Sequence, residues 1–368
     1  MRPVLFVTGI LLLIVAEFLR VYHIMPFPGS QQDMPGDARQ VEIAYWLQNN
    51  IWWLRLVGTV LIAGPAYHYL RWGGWRKRLG IMLPIVLCAI VVYAFNFRLM
   101  ADKMFLVQQE KLLGSVTLID STSNELVLVV EHQGDARAFP LSIIGYHHQV
   151  MDTIGNEPVL ITYCTVCRTG RAWSPKIYGE ADRFRLVGMD HFNAMFEDSR
   201  TKSWWRQVNG ECIAGPLKGS RLDELFSSQM SLGEFARRHP SGLVLRPDPH
   251  FMAKYEQLDG FDDGTIASSL EQRDTMSWQR KSWVLGVVHN GVARAYDWND
   301  LVALRTISDT LGGEAILIRL QADKVSFEAI RQRDPEMTMM PERIPAYQEF
   351  WHSWRTFQPS TTRYQAVR

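Results

Sequence analysis

Three apolar segments within the first hundred residues constrain this chain most, because stretches of that length and composition belong in a lipid bilayer. Residues 3–19 are almost wholly apolar, with Glu17 near the end; residues 51–70 are apolar apart from Arg55 and His68; residues 79–97 carry no charge. The second and third reach the roughly 20 residues that a hydrocarbon core requires, and the first sits at the short end. Pro65 and Pro84 are no obstacle, since proline is commoner in membrane helices than in soluble ones. Glu17 and Arg55 lie near the outer ends of their spans, so both are expected to snorkel to the interface.

Charge orients these spans. The link at residues 71–78 holds four cations and no anion, whereas the link between the first two spans holds Asp33, Asp37 and Glu42 against Arg20 and Arg39. By the positive-inside rule the N-terminus and the 71–78 link are cytoplasmic, and everything beyond Phe97 is outside. Trp52 and Trp53 at one end, and Trp72 and Trp75 at the other, suit the two interfaces. Arg2 and the run 4–16 also match the first two regions of a signal peptide, without a convincing small-x-small cleavage site. Either way the remainder is exported, which in a bacterium means a multi-pass inner-membrane protein with a periplasmic domain. The lipid bilayer is then one partner, and an envelope protein partner stays unidentified. With 39 basic and 38 acidic residues, no global charge points to nucleic acid.

Beyond the anchor, residues 101–113 read as a short amphipathic linker helix, and the pattern then turns to strands. Val127-Leu128-x-Val130-x-His132-x-Gly134-x-Ala136-Arg137-Ala138 returns as Val284-Leu285-x-Val287-x-His289-x-Gly291-x-Ala293-Arg294-Ala295. Asp152-Thr153-x-Gly155-x-Glu157-x-x-Leu160-Ile161 returns as Asp309-Thr310-x-Gly312-x-Glu314-x-x-Leu317-Ile318, again at an offset of 157. Ungapped matching over that distance implies two similar β-rich units. The expected organisation is three transmembrane helices over residues 1–100 and the linker helix over 101–113. A first unit over 114–281 and a second unit with a C-terminal helix over 282–368 complete a mainly β (α+β) extracytoplasmic domain.

The repeat breaks where chemistry is suspected. Cys164-Thr165-Val166-Cys167 aligns with Gln321-Ala322-Asp323-Lys324, and His147 and His148 align with Leu304 and Arg305. The thiols are therefore not needed to hold the fold, and a site belongs in the first unit. Of the four cysteines, Cys88 reads as a small apolar residue within a span. Cys164 and Cys167, three positions apart at a strand end, can share a metal ion or close a redox disulfide. Gly170 and Pro175 argue against the long helix that a thioredoxin-like pair requires after its cysteines, although Arg168 and Arg171 would favour a thiolate. A metal knuckle needs further ligands from Cys212, His147, His148, His191 or a methionine, and two thiolates with His or Met suit Cu(I). A structural disulfide is the bland alternative, but so short a ring staples little chain.

Weaker candidates are residues 259–264, a loose likeness to a calcium loop, and Met337-Thr338-Met339-Met340, a possible Cu(I) holder. Trp204-Trp205 reads as core. No Walker loop, Rossmann fingerprint, His-Glu-x-x-His or Gly-x-Ser-x-Gly is present.

Residues 157–167 (Glu-Pro-Val-Leu-Ile-Thr-Tyr-Cys-Thr-Val-Cys), 210–219 (Gly-Glu-Cys-Ile-Ala-Gly-Pro-Leu-Lys-Gly) and 350–359 (Phe-Trp-His-Ser-Trp-Arg-Thr-Phe-Gln-Pro) resemble the bacterial family of domain of unknown function 3179. The resemblance covers the exported part and implies no particular activity. The family pattern reads Cys-Pro-Leu-Cys-Gly-Ser, from which Thr165, Val166 and Arg168 depart; His147 matches a family histidine, and Cys212 stands where the family has alanine.

The leading expectation is a membrane-anchored protein that binds or handles copper or zinc through Cys164 and Cys167, with His147 assisting and Cys212 or His191 as further ligands. A thiol-disulfide oxidoreductase in which Cys164 attacks and Cys167 resolves is the alternative from the enzyme class. A non-catalytic binding or assembly module is the third.

Overall fold

A computed structural model describes residues 2–30, 38–332 and 342–366, so Met337–Met340 lie outside the described residues. The chain opens with helices α1 (Arg2–Tyr22), α2 (Ala38–Trp72) and α3 (Trp75–Phe97). Two of them, α1 and α3, are long and apolar enough to cross a membrane. The sequence reading expects three spans; α2 is long enough at 35 residues, but Arg55 and His68 interrupt its apolar run. It nevertheless packs tightly on α1. A Cβ on Gly9 would lie 2.8 Å from the Gly58 carbonyl, and one on Gly58 would lie 2.6 Å from Leu13, a small-residue approach of the kind membrane helices use.

Glu17 and Arg55 do not snorkel. Glu17 is fully buried and lies 2.7 Å from Arg20 and 2.6 Å from Arg55, so the two suspected loners are partners. Asn96 of α3 closes the network, its Oδ1 accepting from Arg20 at 3.0 Å and Arg55 at 2.7 Å. Charges on separate helices satisfied one another instead of reaching for water, as buried ionisable groups must.

The expected linker helix shrinks to α4 (Ala101–Met104), and residues 105–111 run irregularly, with bends at 105 and 109, into strand β1 (Leu112–Ser115). Asp248 explains this, since its Oδ2 accepts the backbone N–H groups of Gln109 and Glu110 at 2.8 and 3.0 Å and competes with helical bonds.

The domain that follows is built from small sheets. In chain order come β2 (Leu126–His132), β3 (Asp135–Pro140), α5 (Leu141–His147), β4 (Gln149–Ile154), β5 (Glu157–Cys164) and β6 (Thr169–Trp173). The pair β7 (Lys176–Ile177) and β8 (Glu180–Ala181) leads into a separate meander, β9 (Phe184–Asp190), β10 (Asn193–Asp198), β11 (Trp204–Arg206) and β12 (Cys212–Ala214). Then β13 (Glu224–Leu225), β14 (Ser227–Ser231), α6 (Leu232–Arg238), β15 (Leu243–Arg246) and α7 (Met252–Tyr255) return to the first sheets. The last part comprises β16 (Trp283–His289), β17 (Val292–Asp297), α8 (Trp298–Leu304), β18 (Thr306–Leu311), β19 (Glu314–Leu320) and β20 (Phe327–Arg331). It ends with β21 (Arg343–Ile344), β22 (Ala346–Phe350), α9 (Trp351–Phe357) and β23 (Thr362–Arg363).

Strand order repeats. One sheet runs β1-β15-β3-β2-β14 and another β22-β16-β17-β23, with β15 parallel to β3 as β23 is parallel to β17. A second pair runs β13-β6-β5-β4 and β18-β19-β20-β21. Detail repeats too: Arg137 meets Asp152 at 2.8 Å and Arg294 meets Asp309 at 2.6 Å. Gly155 and Gly312, with φ of 57° and 59°, each crowd a preceding histidine carbonyl so closely that a side chain would not fit. Trp204 and Trp205 are buried, as core residues should be.

The meander seats on the N-terminal helices. Met189 of β9 donates its N–H to the Ile24 carbonyl at 2.7 Å, and a Cβ on Gly188 would lie 2.5 Å from that same oxygen. Asp102 of α4 reaches Arg185 of β9 at 3.7 Å.

Candidate dithiol site

β5 ends on Cys164, a turn follows, and β6 begins at Thr169, so a strand rather than a helix succeeds the cysteines. Arg168 closes the turn in the left-handed region at φ 54°, with its N–H on the Thr165 carbonyl. Glycine is the undemanding choice there, and a larger residue needs compensation. Arg168 has it. Its guanidinium is buried, bonds Gln348, the Phe261 carbonyl and the Asp262 carbonyl at 2.9, 2.7 and 2.9 Å, and stacks 3.9 Å from the Trp283 ring. The family departure at this position therefore fastens the cysteine turn to β16 and β22.

Asp262, beside that cradle, accepts the Leu126 N–H at 2.9 Å, and burial pushes its carboxyl up to about 6. A carboxyl raised above its ordinary value of 3.8 stabilises the fold fully below that value and loses the contribution as pH rises through about 6. Asp262→Asn should therefore flatten the fall in stability between these pH values, an effect of at most about 3 kcal/mol. Denaturant titrations of both proteins across that range check this; parallel profiles would refute it.

Both cysteines are fully buried and unbridged, and each sulfur lies 3.3 Å from one acceptor, the Phe192 carbonyl. That oxygen comes from the hairpin between β9 and β10, whose two turn residues His191 and Phe192 have φ of 49° and 66°. Such turns favour Asn-Gly, and bulky residues here mark a strained turn held by its surroundings. Arg280 lies 4.9 Å over the Phe192 ring, and the His352 ring meets it edge-on at 6.0 Å.

The third side of the site comes from the C-terminal part. Lys281 donates to the Val166 carbonyl at 2.8 Å and lies 4.4 Å over the Phe350 ring; His352 Nε2 is 3.2 Å from the same Val166 oxygen. The Phe350 N–H bonds the Cys167 carbonyl at 3.0 Å. Beneath lies buried Glu349, 2.6 Å from Arg171, 2.8 Å from Thr169 Oγ1 and 2.9 Å from Ser353 Oγ.

These neighbours divide the two thiols. Burial works to raise Cys164, but hydrogen bonds from the Cys167 thiol and from the Cys167 and Ala194 N–H groups, with the Lys281 charge, hold it below its ordinary value. Cys167 is pushed well above by burial and by donating to Cys164. Burial brings Lys281 down to about 8, against the pull of both thiols, and His352 down to about 3, leaving that imidazole neutral.

The other expected ligands lie apart. His147 bonds the Leu106 carbonyl through Nδ1 and Tyr255 through Nε2 at 2.7 Å, within an aromatic cluster containing Phe251. His148 stacks on Phe105 at 4.4 Å, and burial lowers it to about 4. Cys212 sits in β12, its thiol toward the Ala214 carbonyl at 3.4 Å, and burial raises it to about 11. His191 pairs with Asp190 at 2.6 Å, and the Phe357 ring is 6.5 Å away. Among the described residues, no three or more His, Cys, Asp or Glu side chains gather as a metal-ligand set. At the calcium-like loop, the carboxylates of Asp262 and Asp263 accept N–H groups of Leu126 and Thr265.

Phe192, Lys281, Glu349, His352 and Ser353 are what sequence reasoning missed at the cysteines. The segment 350–359 carried a signal as a family motif, but nothing in it says which residues it faces. Arg168 and Arg171, expected beside the thiols, turn instead to carbonyls and to Glu349.

A helical N-terminal region carrying a many-sheeted domain with a buried pair of cysteines defines a class without a named chemistry. Residues 114–361 match the family described as Protein of unknown function (DUF3179), and the chain belongs to that family. No curated protein and no solved structure matches it.

Proposed function

We propose that the chain is a three-span envelope protein whose Cys164 and Cys167 hold one Cu(I) ion as a buried bis-thiolate. The observation that carries this reading is the convergence of two fully buried thiols on one carbonyl, with the Lys281 ammonium beside them. Soft thiolates select Cu(I), and zinc in structural sites takes four ligands, which the described residues do not assemble around this pair. Two thiolates and Cu(I) carry one net negative charge, which Lys281 offsets. Burial also favours a small ion over a protein disulfide as the visiting reactant.

In this reading α2 is the third span, its Arg55 neutralised by Glu17, and the four cations of the 71–78 link place the β domain outside. The matched sheets are two copies of one unit, and residues 176–222 are an insertion in the first copy that supplies Phe192. The thiols then sit where both copies and the insertion meet.

The test is uptake of Cu(I) by the reduced, detergent-solubilised full chain against a chromophoric Cu(I) chelator. We expect one ion per chain, lost in Cys164→Ser, Cys167→Ser and kept in Cys212→Ser. No uptake by the wild type, or equal uptake by the double variant, overturns the reading.

The division between a lowered Cys164 and a raised Cys167 favours one second reading, thiol-disulfide exchange. The Cys164 thiolate would attack a partner disulfide and release one partner thiolate. Cys167 would then displace the second, leaving Cys164–Cys167 oxidised and the partner reduced by two electrons. A reversible loss of two titratable thiols on exposure to a dithiol–disulfide buffer, absent from the double variant, would select it.

A further inference from the structure

We propose that a cavity between β4, β9 and the segment leaving α4 binds an anionic glycerophospholipid from the leaflet beside the anchor. The inference rests on the membrane-anchored part of the proposed function and is independent of copper. The cavity holds about 440 Å³ and is walled by Val107, Val150, Met151 and Phe184. That volume is ordinary for a small-molecule site. Gln149 also lines it. This side chain is only 5 % exposed; its Nε2 donates to the Phe184 carbonyl at 2.8 Å, and its Oε1 is buried without a hydrogen-bond partner. Leaving such an acceptor unmet costs free energy, so an occupant with a hydroxyl or N–H donor is favoured.

Charge selects the rest of the occupant. Lys111 and Arg183 stand at the cavity. Asp152 is already shared by Lys111 at 2.7 Å and Arg137 at 2.8 Å, so the rim carries excess positive charge. An acceptor within, cations at the rim and apolar walls match a headgroup hydroxyl, a phosphate and the start of an acyl chain. Position supplies the source. Phe184 opens the strand that bonds Ile24 just past α1, and Arg185 beside it pairs with Asp102 a few residues past α3. Val107, 61 % exposed, extends the apolar wall outward from the cavity.

The full chain in phosphatidylcholine nanodiscs doped with phosphatidylglycerol tests this by native mass spectrometry. One retained phosphatidylglycerol per chain is expected. Retention should fall about tenfold in Gln149→Leu and in Arg183→Glu, the scale of one lost polar contact, and stay unchanged in Lys254→Glu. Arg183 is exposed, so its variant tests the site even where Gln149→Leu perturbs folding. Equal retention in the Arg183 variant, or phosphatidylcholine held as well as phosphatidylglycerol, overturns the proposal. Alkaline carbonate extraction separates the two premises: release from membranes would sink the anchor reading, whereas a firmly held chain without lipid selectivity sinks only the pocket.

Discussion

Glu349→Ala is expected to cost the β domain about 3–5 kcal/mol, because it strands a buried arginine. Glu349 is fully buried at the end of β22 and meets Arg171 of β6 at 2.6 Å, with Thr169 and Ser353 donating to the same carboxylate. Burying both charges was expensive, and their mutual attraction with three hydrogen bonds offsets the cost. Removing one partner leaves the Arg171 guanidinium facing an alanine, with Glu224 at 3.5 Å as the remaining anion among the described residues. Glu349→Gln keeps the acceptor and should lose less. Denaturant melts of the full chain in detergent measure both. A change below about 1 kcal/mol in the alanine variant would mean that the pair contributes no more than a surface salt bridge does. Since Phe350 and Ser353 flank the cysteines, the alanine variant should also make both thiols react faster with a small alkylating reagent.

Glu17→Ala should have an effect of similar size, about 3–5 kcal/mol, where α1, α2 and α3 meet. Among the described residues Glu17 is the one carboxylate paired with both Arg20 and Arg55, and Asn96 can supply only its amide oxygen in place of a charge. Without Glu17 two guanidiniums share a low-dielectric helix junction, and α2 should separate from α1 and α3. Limited proteolysis in the segments between the helices, with and without the substitution, reads this directly. A variant as resistant as the wild type would restore the expectation that these charges reach the interface independently.

The paired hairpins with matching strand orders were legible because their cues are local: alternation, turn glycines and a fixed spacing. The strand before Cys164 and the lack of a long helix after Cys167 were legible from the apolar run 159–163 and from Gly170 and Pro175, whereas the strand β6 that follows was not. The surroundings of the thiols were not legible. Lys281 and His352 reach Val166 from 115 and 186 positions away, and no periodicity reports a contact of that range. Glu17 and Arg55 were each read against water rather than against each other, since their pairing depends on how α1 meets α2. His147 was singled out by its match to a family histidine, and nothing in that match says that α5 aims it at Leu106 and Tyr255. Arg168, read as a departure from a knuckle, became a fastening because Trp283 and Phe261 lie around it.

The backbone bond between Met189 and Ile24 fixes how the β domain sits on the helices. A domain on a slack tether samples every tilt relative to the element that carries it. Here the strand leading to the Phe192 turn is bonded to a residue just past α1, so tilt and distance from that helix are set together. In the proposed reading, with α1 in a bilayer, the same bond would set the height of the two cysteines above the membrane. Lengthening residues 23–25 by a few glycines would restore the lost freedoms.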